Sequence, residues 1–186
     1  MIYQRPSTTN WKTLLTKIKD DLAGLEEADR EDLRVRLTAI GDLQVALNNL
    51  FTRASGETAC AACQGACCGC GLHHLTLTNL LGYLIEGDDP PAPDFSKTCP
   101  YLGENGCSIP VAQRPYNCIT FFCEQLEESL GDEGQQMLRT LDRQLRKEYQ
   151  AIADRYPAAS LRGLWIAMTR VGDGQILISN RRVVVE

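Results

Sequence analysis

Nine cysteines fall between Cys60 and Cys123, and the rest of the chain has none. They form two groups. The first runs Cys60-Ala-Ala-Cys63-Gln-Gly-Ala-Cys67-Cys68-Gly-Cys70, and the second is Cys99, Cys107, Cys118 and Cys123. Thiolates this closely spaced, with only Gly, Ala and one Gln between them, suit a loop that wraps a soft metal ion. A disulfide needs only two suitably placed Cα atoms and gives no reason for such crowding. The chain is read first as a metal-site protein.

Composition narrows the setting. Apolar residues make up 44% of the 186 positions, enough for a real core. Secreted cysteine-rich domains are usually short and lean on disulfides for want of one. The opening Met1-Ile2-Tyr3-Gln4-Arg5-Pro6 has no apolar stretch of the secretory kind, and no run has the length needed to span a bilayer. The expected setting is cytoplasmic, with reduced thiols and no membrane. An odd cysteine count also fits ligation better than a closed disulfide set. A net charge of −5 and a pI of about 5.1, without a long basic stripe, argue against a phosphate-backbone binder. Arg34 and Arg36, and the pair Arg181-Arg182, read as solvated surface.

Apolar periodicity predicts a mainly α fold with a small β component, its helices surrounding a loop-built, cysteine-rich metal centre. Residues 10–25 read as a helix with Asn10 as N-cap and Leu14, Leu15, Ile18, Leu22 and Leu25 on one side. Residues 29–53 read as a second, with Leu33, Leu37, Ile40, Leu47, Leu50 and Phe51 at steps of three and four. Together 1–56 is expected to be a helical hairpin whose apolar stripe packs on the rest of the chain or docks a protein partner. In 57–130, the cysteine region, Ser55 to Thr58 ends the second helix. Residues 72–77 alternate as a short strand would, and Thr78 caps a short helix through Ile85. Asn105-Gly106 is a tight-turn signal that brings Cys99 towards Cys107. Cys118 to Leu130 reads as a helix ended by Gly131. In 131–186 a long helix from 132 to 156 is closed by Pro157, and Ser160 caps another. The tail suggests two short strands, 175–179 and 182–185. The three segments are expected to form one globular unit.

Iron–sulfur clusters and structural zinc both need deprotonated thiolates converging within a few ångströms. Ala61, Ala62, Gly65, Ala66, Gly69 and Gly71 let the backbone turn tightly and aim N–H groups at sulfur, which stabilises thiolate charge. Side chains of the neighbours Cys67 and Cys68 diverge, so the pair serves two ligand sets, or one set plus a structural thiol. Eight cysteines allow two four-cysteine zinc sites, or one cubane cluster with thiols left over, and Cys70 reads as the spare. His73 and His74 are adjacent, so at most one faces the centre. Surface histidine is the preferred reading for both.

The order Cys-x2-Cys-x3-Cys-Cys, followed by Cys99-Pro-x-Leu, Cys107-Ser-Ile, Arg114-Pro115-x-x-Cys118 and Phe122-Cys123, resembles the YkgJ-type cysteine cluster proteins. These are described as zinc- or iron-chelating, or as containing an iron–sulfur cluster. The resemblance spans residues 57–125 and leaves the flanking helices uncovered. It implies Cys60, Cys63, Cys67, Cys68, Cys99, Cys107, Cys118 and Cys123 as metal ligands, with Arg114 and Pro115 as motif residues. The family commonly has Arg directly after the cysteine of the Arg-Pro-x-x-Cys element, where this chain has Ile119. Balancing thiolate charge at the cofactor then falls to Arg114, which stays ionised and offers several donors. A salt bridge locking the Pro110–Pro115 turn is the competing role.

Three functions compete. The first is a metal-binding protein with an iron–sulfur cluster, or alternatively Zn2+, as its cofactor. It is favoured because ligands are dense and no other catalytic signature is present. Val171-Gly-Asp-Gly174 lacks the Lys and Ser or Thr of a phosphate-binding loop, and neither a nucleophile elbow nor a metalloprotease His-Glu pair occurs. The second is a cluster-dependent redox or protein-modifying enzyme, since some relatives of the resembled family look like protein lysine methylases. The third is a zinc-stabilised interaction module. Soft thiolates suit iron and zinc alike; the adjacent Cys-Cys pair and the ninth thiol tilt the expectation towards iron–sulfur.

Overall fold

The structure, a computed structural model, describes residues 6–63, 66–104, 106–171 and 174–180, apart from the side chains at 69 and 70. It is mainly helical. Among the described residues there is one two-stranded sheet, and seven α-helices run in the order α1 (Thr8–Ala23), α2 (Glu27–Arg53), α3 (Gly56–Ala62), α4 (Leu77–Leu84), α5 (Tyr116–Thr120), α6 (Glu124–Arg155) and α7 (Leu164–Val171). Strands β1 (Leu102–Gly103) and β2 (Gly106–Cys107) lie between α4 and α5, and 3-10 turns occupy Ala66–His73, Val111–Gln113 and Pro157–Ala159.

The long helices form where the apolar steps place them. In α2, Leu33, Leu37, Ile40, Leu47 and Leu50 are buried, and in α6 Leu138, Leu145, Tyr149 and Ile152. These two stripes face one another, so the close partner of α2 along its length is α6 rather than α1. The expected hairpin is corrected accordingly. Helix α1 buries Trp11, Leu14, Ile18 and Leu22 and reaches instead to the proline-rich segment, through a Trp11–Phe95 edge contact and a Lys19–Asp89 ion pair of 2.6 Å. The α2 stripe is thus core, not a free docking face. One buried cluster draws on residues from all three segments. Among the described residues no helix is long and apolar enough to cross a membrane.

Several local expectations are corrected. The cap of α1 is Ser7, whose Oγ accepts from Asn10 N–H at 3.2 Å; Asn10 lies inside the helix. Ser55, in the left-handed region at φ 57, does not end the helical run but turns it into α3. Residues 72–77 form no strand. They leave the 3-10 turn and enter α4 two residues before Thr78, with Thr76 as N-cap. Thr78 instead donates from its hydroxyl to Ala159 O at 3.1 Å. Cys118 to Leu130 is not one helix, because Phe121 is extended and Cys123 caps a new one. The stop expected at Gly131 is borne out: at φ 62 and ψ −178 it leaves helical geometry, so the run written α6 is two helices, 124–130 and 132–155, meeting at a kink. Ser160 ends the 3-10 turn Pro157–Ala159 as its C-cap rather than starting a helix, and α7 begins at Leu164. Residues 175–179 make no ladder: Asp21 of α1 accepts from the N–H groups of Ile176 (2.5 Å) and Leu177 (3.1 Å). Asn105, Arg181 and the expected strand at 182–185 lie outside the described residues.

Candidate metal centre

The cysteines occupy the ends of short elements. Cys60 lies in the last turn of α3 and Cys63 caps it, with its Sγ 3.5 Å from Cys60 O. The first group is therefore partly helical rather than a plain loop. Helix α3 starts against the Phe51 ring so closely that a Cβ on Gly56 would overlap it. Cys67 and Cys68 follow on the 3-10 turn. That turn is pinned at its far end, where Leu164 N–H donates to Leu75 O at 2.6 Å and a Cβ on Gly163 would strike the His73 carbonyl. Gly71 is where the two cysteine groups touch. A Cβ there would lie 2.5 Å from Cys99 Sγ and 2.7 Å from Cys99 Cβ, so only glycine lets the turn settle onto Cys99.

The second group is set by three devices. The β1–β2 pair, in register Leu102↔Cys107 and Gly103↔Gly106, closes at Gly106 with φ 103, and it returns Cys107 towards Cys99 as the turn signal predicts. Pro115 starts α5 and accepts at its carbonyl from Cys118 N–H at 2.8 Å. Cys123 is the N-cap of α6. It is carried back to α3 by the edge contact of Phe122 on Phe51, with ring centroids 6.1 Å apart, and by Ser129 Oγ donating to Ala54 O at 3.3 Å.

Electrostatics follows this arrangement. Burial pushes the Cys60 thiol up, and neighbouring Cys67, Cys63 and Cys123 push it further. Cys68 is raised to about 11 by burial, then by Cys67, Cys99, Cys107 and Cys60. Cys118 is raised by loss of hydration, then by Cys107, Cys99 and Cys68, and Arg114 works the other way. Cys107 is likewise raised by burial and eased by a backbone hydrogen bond and by Arg114. Cys107 and Cys118 nonetheless keep solvent-accessible surface. Without metal these thiols stay protonated near neutral pH.

Arg114 donates from its Nη1 to Asn48 Oδ1 at 3.3 Å and from Nε to Ile109 O at 3.4 Å. Among the described residues it makes no ion pair, so the salt-bridge alternative for it is not what holds the turn. Its cation acts on Cys107 and Cys118 instead. The turn is held by a buried amide network that sequence reasoning missed. Asn79 Nδ2 donates to Gln113 O (3.1 Å), Arg114 O (3.1 Å) and Tyr149 Oη (3.0 Å), and Gln44 Nε2 donates to Arg114 O at 2.5 Å. His74 was also missed as a site residue. It is half-buried, with Nδ1 3.2 Å from Cys118 Sγ, whereas His73 is exposed as expected. The only sequence signal for it is its position directly after the first cysteine group.

All eight cysteines whose side chains are described are free thiols; the side chain of Cys70, the expected spare, lies outside that description. Among the described residues no three His, Cys, Asp or Glu side chains are drawn together tightly enough to hold a metal ion as they stand. The donor chemistry fits a thiophilic centre, because the side chains on offer are soft sulfur donors spaced by small residues, with the Arg114 cation acting on Cys107 and Cys118. Comparison with protein-family models, curated proteins and solved structures finds no match.

Proposed function

We propose that this protein binds a thiophilic metal centre, an iron–sulfur cluster with zinc as the alternative. Its ligands are Cys60, Cys63, Cys67, Cys68, Cys99, Cys107, Cys118 and Cys123, and Arg114 moderates their charge. One observation carries the reading: six separate stretches of chain deliver eight free thiols as a linked set of electrostatic neighbours, Cys60 with Cys63, Cys67 and Cys123, Cys68 with Cys60, Cys67, Cys99 and Cys107, and Cys118 with Cys68, Cys99 and Cys107. Neighbouring thiolates repel, and a metal that takes their charge relieves that cost. The resemblance of residues 57–125 to the YkgJ-type cysteine cluster proteins supports the same reading. A bound cluster would supply one-electron redox chemistry, and zinc would supply a structural clasp.

The test is elemental analysis with a visible absorption spectrum on protein purified without oxygen. Iron, acid-labile sulfide and a broad visible band identify a cluster; a colourless protein holding zinc identifies the alternative. Cys67→Ser and Cys118→Ser each lower metal content and melting temperature together, because coordination is coupled to local folding. Full metal retention with unchanged melting in both variants rejects the proposal.

A further inference from the structure

We infer that the eight thiols form two separate four-thiolate centres, Cys60, Cys63, Cys67 and Cys123 in one and Cys68, Cys99, Cys107 and Cys118 in the other. This rests on the metal-binding reading above and specifies its site.

The division follows the scaffold. Cys60 and Cys63 share one turn at the end of α3, and the chain enters the 3-10 turn at Cys67 within four residues. Cys123 reaches the same place from α6, because the Phe51–Phe122 and Ser129–Ala54 contacts fasten the start of α6 beside the α2–α3 junction. The second set gathers around the end of the 3-10 turn near Gly71 and His74. Gly71 seats Cys99 against that turn. The β1–β2 register brings Cys107 back beside the stretch that begins at Cys99. The His74 ring, just past the turn, lies against Cys118. Electrostatic neighbours follow this division at Cys60 and Cys118, each of which responds to the other three of its set, whereas Cys68, next to the joint, responds to Cys67 and Cys60 as well as to Cys99 and Cys107.

Cys67 and Cys68 are the joint between the two. Successive residues of a 3-10 turn are rotated by about 120°, so these adjacent side chains diverge and each serves a different set. Four thiolates are also the complement that either chemistry demands, a tetrahedral zinc ion or a cubane cluster. The partition therefore holds whichever metal is resident. Arg114 and His74 both act on the second set, which makes the two centres unequal: the second has a cation that eases Cys107 and Cys118 and an imidazole 3.2 Å from Cys118 Sγ, and the first has neither among the described residues.

The test is an anaerobic titration of the reduced, metal-free full-length protein with Co2+, followed by its thiolate charge-transfer absorbance. Wild type takes up two equivalents per chain. The same-set pairs Cys63→Ser/Cys123→Ser and Cys107→Ser/Cys118→Ser each lose one equivalent and keep the other. All four positions are solvent-accessible, so the core is spared, and the retained equivalent is itself proof of folding. The cross-set pair Cys63→Ser/Cys107→Ser removes as many thiols yet weakens both equivalents. Cys70→Ser keeps both. One equivalent in wild type, or same-set and cross-set pairs that behave alike, overturns the partition. No cobalt uptake by wild type overturns the metal-binding reading itself, which separates the two failures.

Discussion

Replacing Asn79 with Ala should cost about 2–4 kcal/mol of stability and weaken the second cysteine set, although Asn79 touches no thiol. Its side chain is nearly sealed from solvent and serves two elements at once. Its Oδ1 accepts from Thr76 N–H (3.0 Å) and from the Thr76 hydroxyl (2.8 Å), closing the N-terminus of α4. Its Nδ2 holds the carbonyls of Gln113 and Arg114 and the Tyr149 hydroxyl. Loss of the cap costs about 1 kcal/mol. Arg114 O and Tyr149 Oη retain Gln44 as a donor, but Gln113 O loses its side-chain partner, and a stranded buried polar group costs about 1–3 kcal/mol. At roughly 2–4 °C per kcal/mol for a chain of this size, Tm of the metal-free protein should fall by about 10 °C. Because Gln44 and Asn79 share two acceptors, Gln44→Ala and Asn79→Ala should be non-additive by at least about 0.5 kcal/mol. Circular dichroism melts of the single and double variants measure both quantities. A Tm change below about 2 °C, or strict additivity, would show that the network does not hold the Arg114 turn as described.

Gly71→Ala forces a methyl group onto Cys99, and overpacking of this kind costs about 1–3 kcal/mol. Cobalt titration should show the second equivalent weakened with the first intact; equal effects on both would contradict the contact. Arg114→Gln removes the cation beside Cys107 and Cys118 and should weaken metal binding by roughly tenfold, as loss of outer partners does, while Arg114→Lys restores most of it. Equal affinity in Gln and wild type, measured by chelator competition, would remove Arg114 from the site. Burial raises the hydroxyl pKa of Tyr83 to about 12 and also raises those of Tyr101, Tyr116, Tyr149 and Tyr156. Groups whose folded pKa is raised contribute stability in full below their ordinary value near 10, and it is lost as pH climbs through the folded values. Phenolate absorbance followed from about pH 9 to about pH 12 should appear together with loss of helix; phenolate formed with helicity intact would refute this.

What the sequence made legible was what one element decides alone. The stripes of α2 and α6, the stop at Pro157 and the turn that pairs Cys99 with Cys107 each follow from residues a few positions apart. The short pieces were decided by partners distant in sequence. Residues 72–77 alternate like a strand, yet Leu75 O is taken by the N–H of Leu164. Ile176 and Leu177 read as strand because they are apolar, but their N–H groups go to a carboxylate on α1. Cysteine spacing nominates ligands without sorting them. Sorting needs the contacts of Phe51 with Phe122, and of Gly71 with Cys99, which join positions with no local signature.

The thiols lie at the edges of a scaffold that does not depend on them. The surfaces of α2 and α6 that meet are filled by fully buried Leu33, Leu47, Leu145, Tyr149 and Ile152, and each such side chain contributes roughly 1.5–3 kcal/mol. Small metal domains lack such a core and unfold when stripped. On the proposed metal-binding reading, coordination would have a smaller task, to draw together thiols that the scaffold already delivers to one neighbourhood. Metal removal should then leave helicity intact while Tm falls by about 5–10 °C, the size expected when metal at about a hundred times Kd is withdrawn. The loss should concentrate in amide-exchange protection of residues 56–74 and 99–123, with α2 and α6 unchanged. A chelator-treated protein that loses its helices altogether would mean that the metal, not the α2–α6 core, organises this chain.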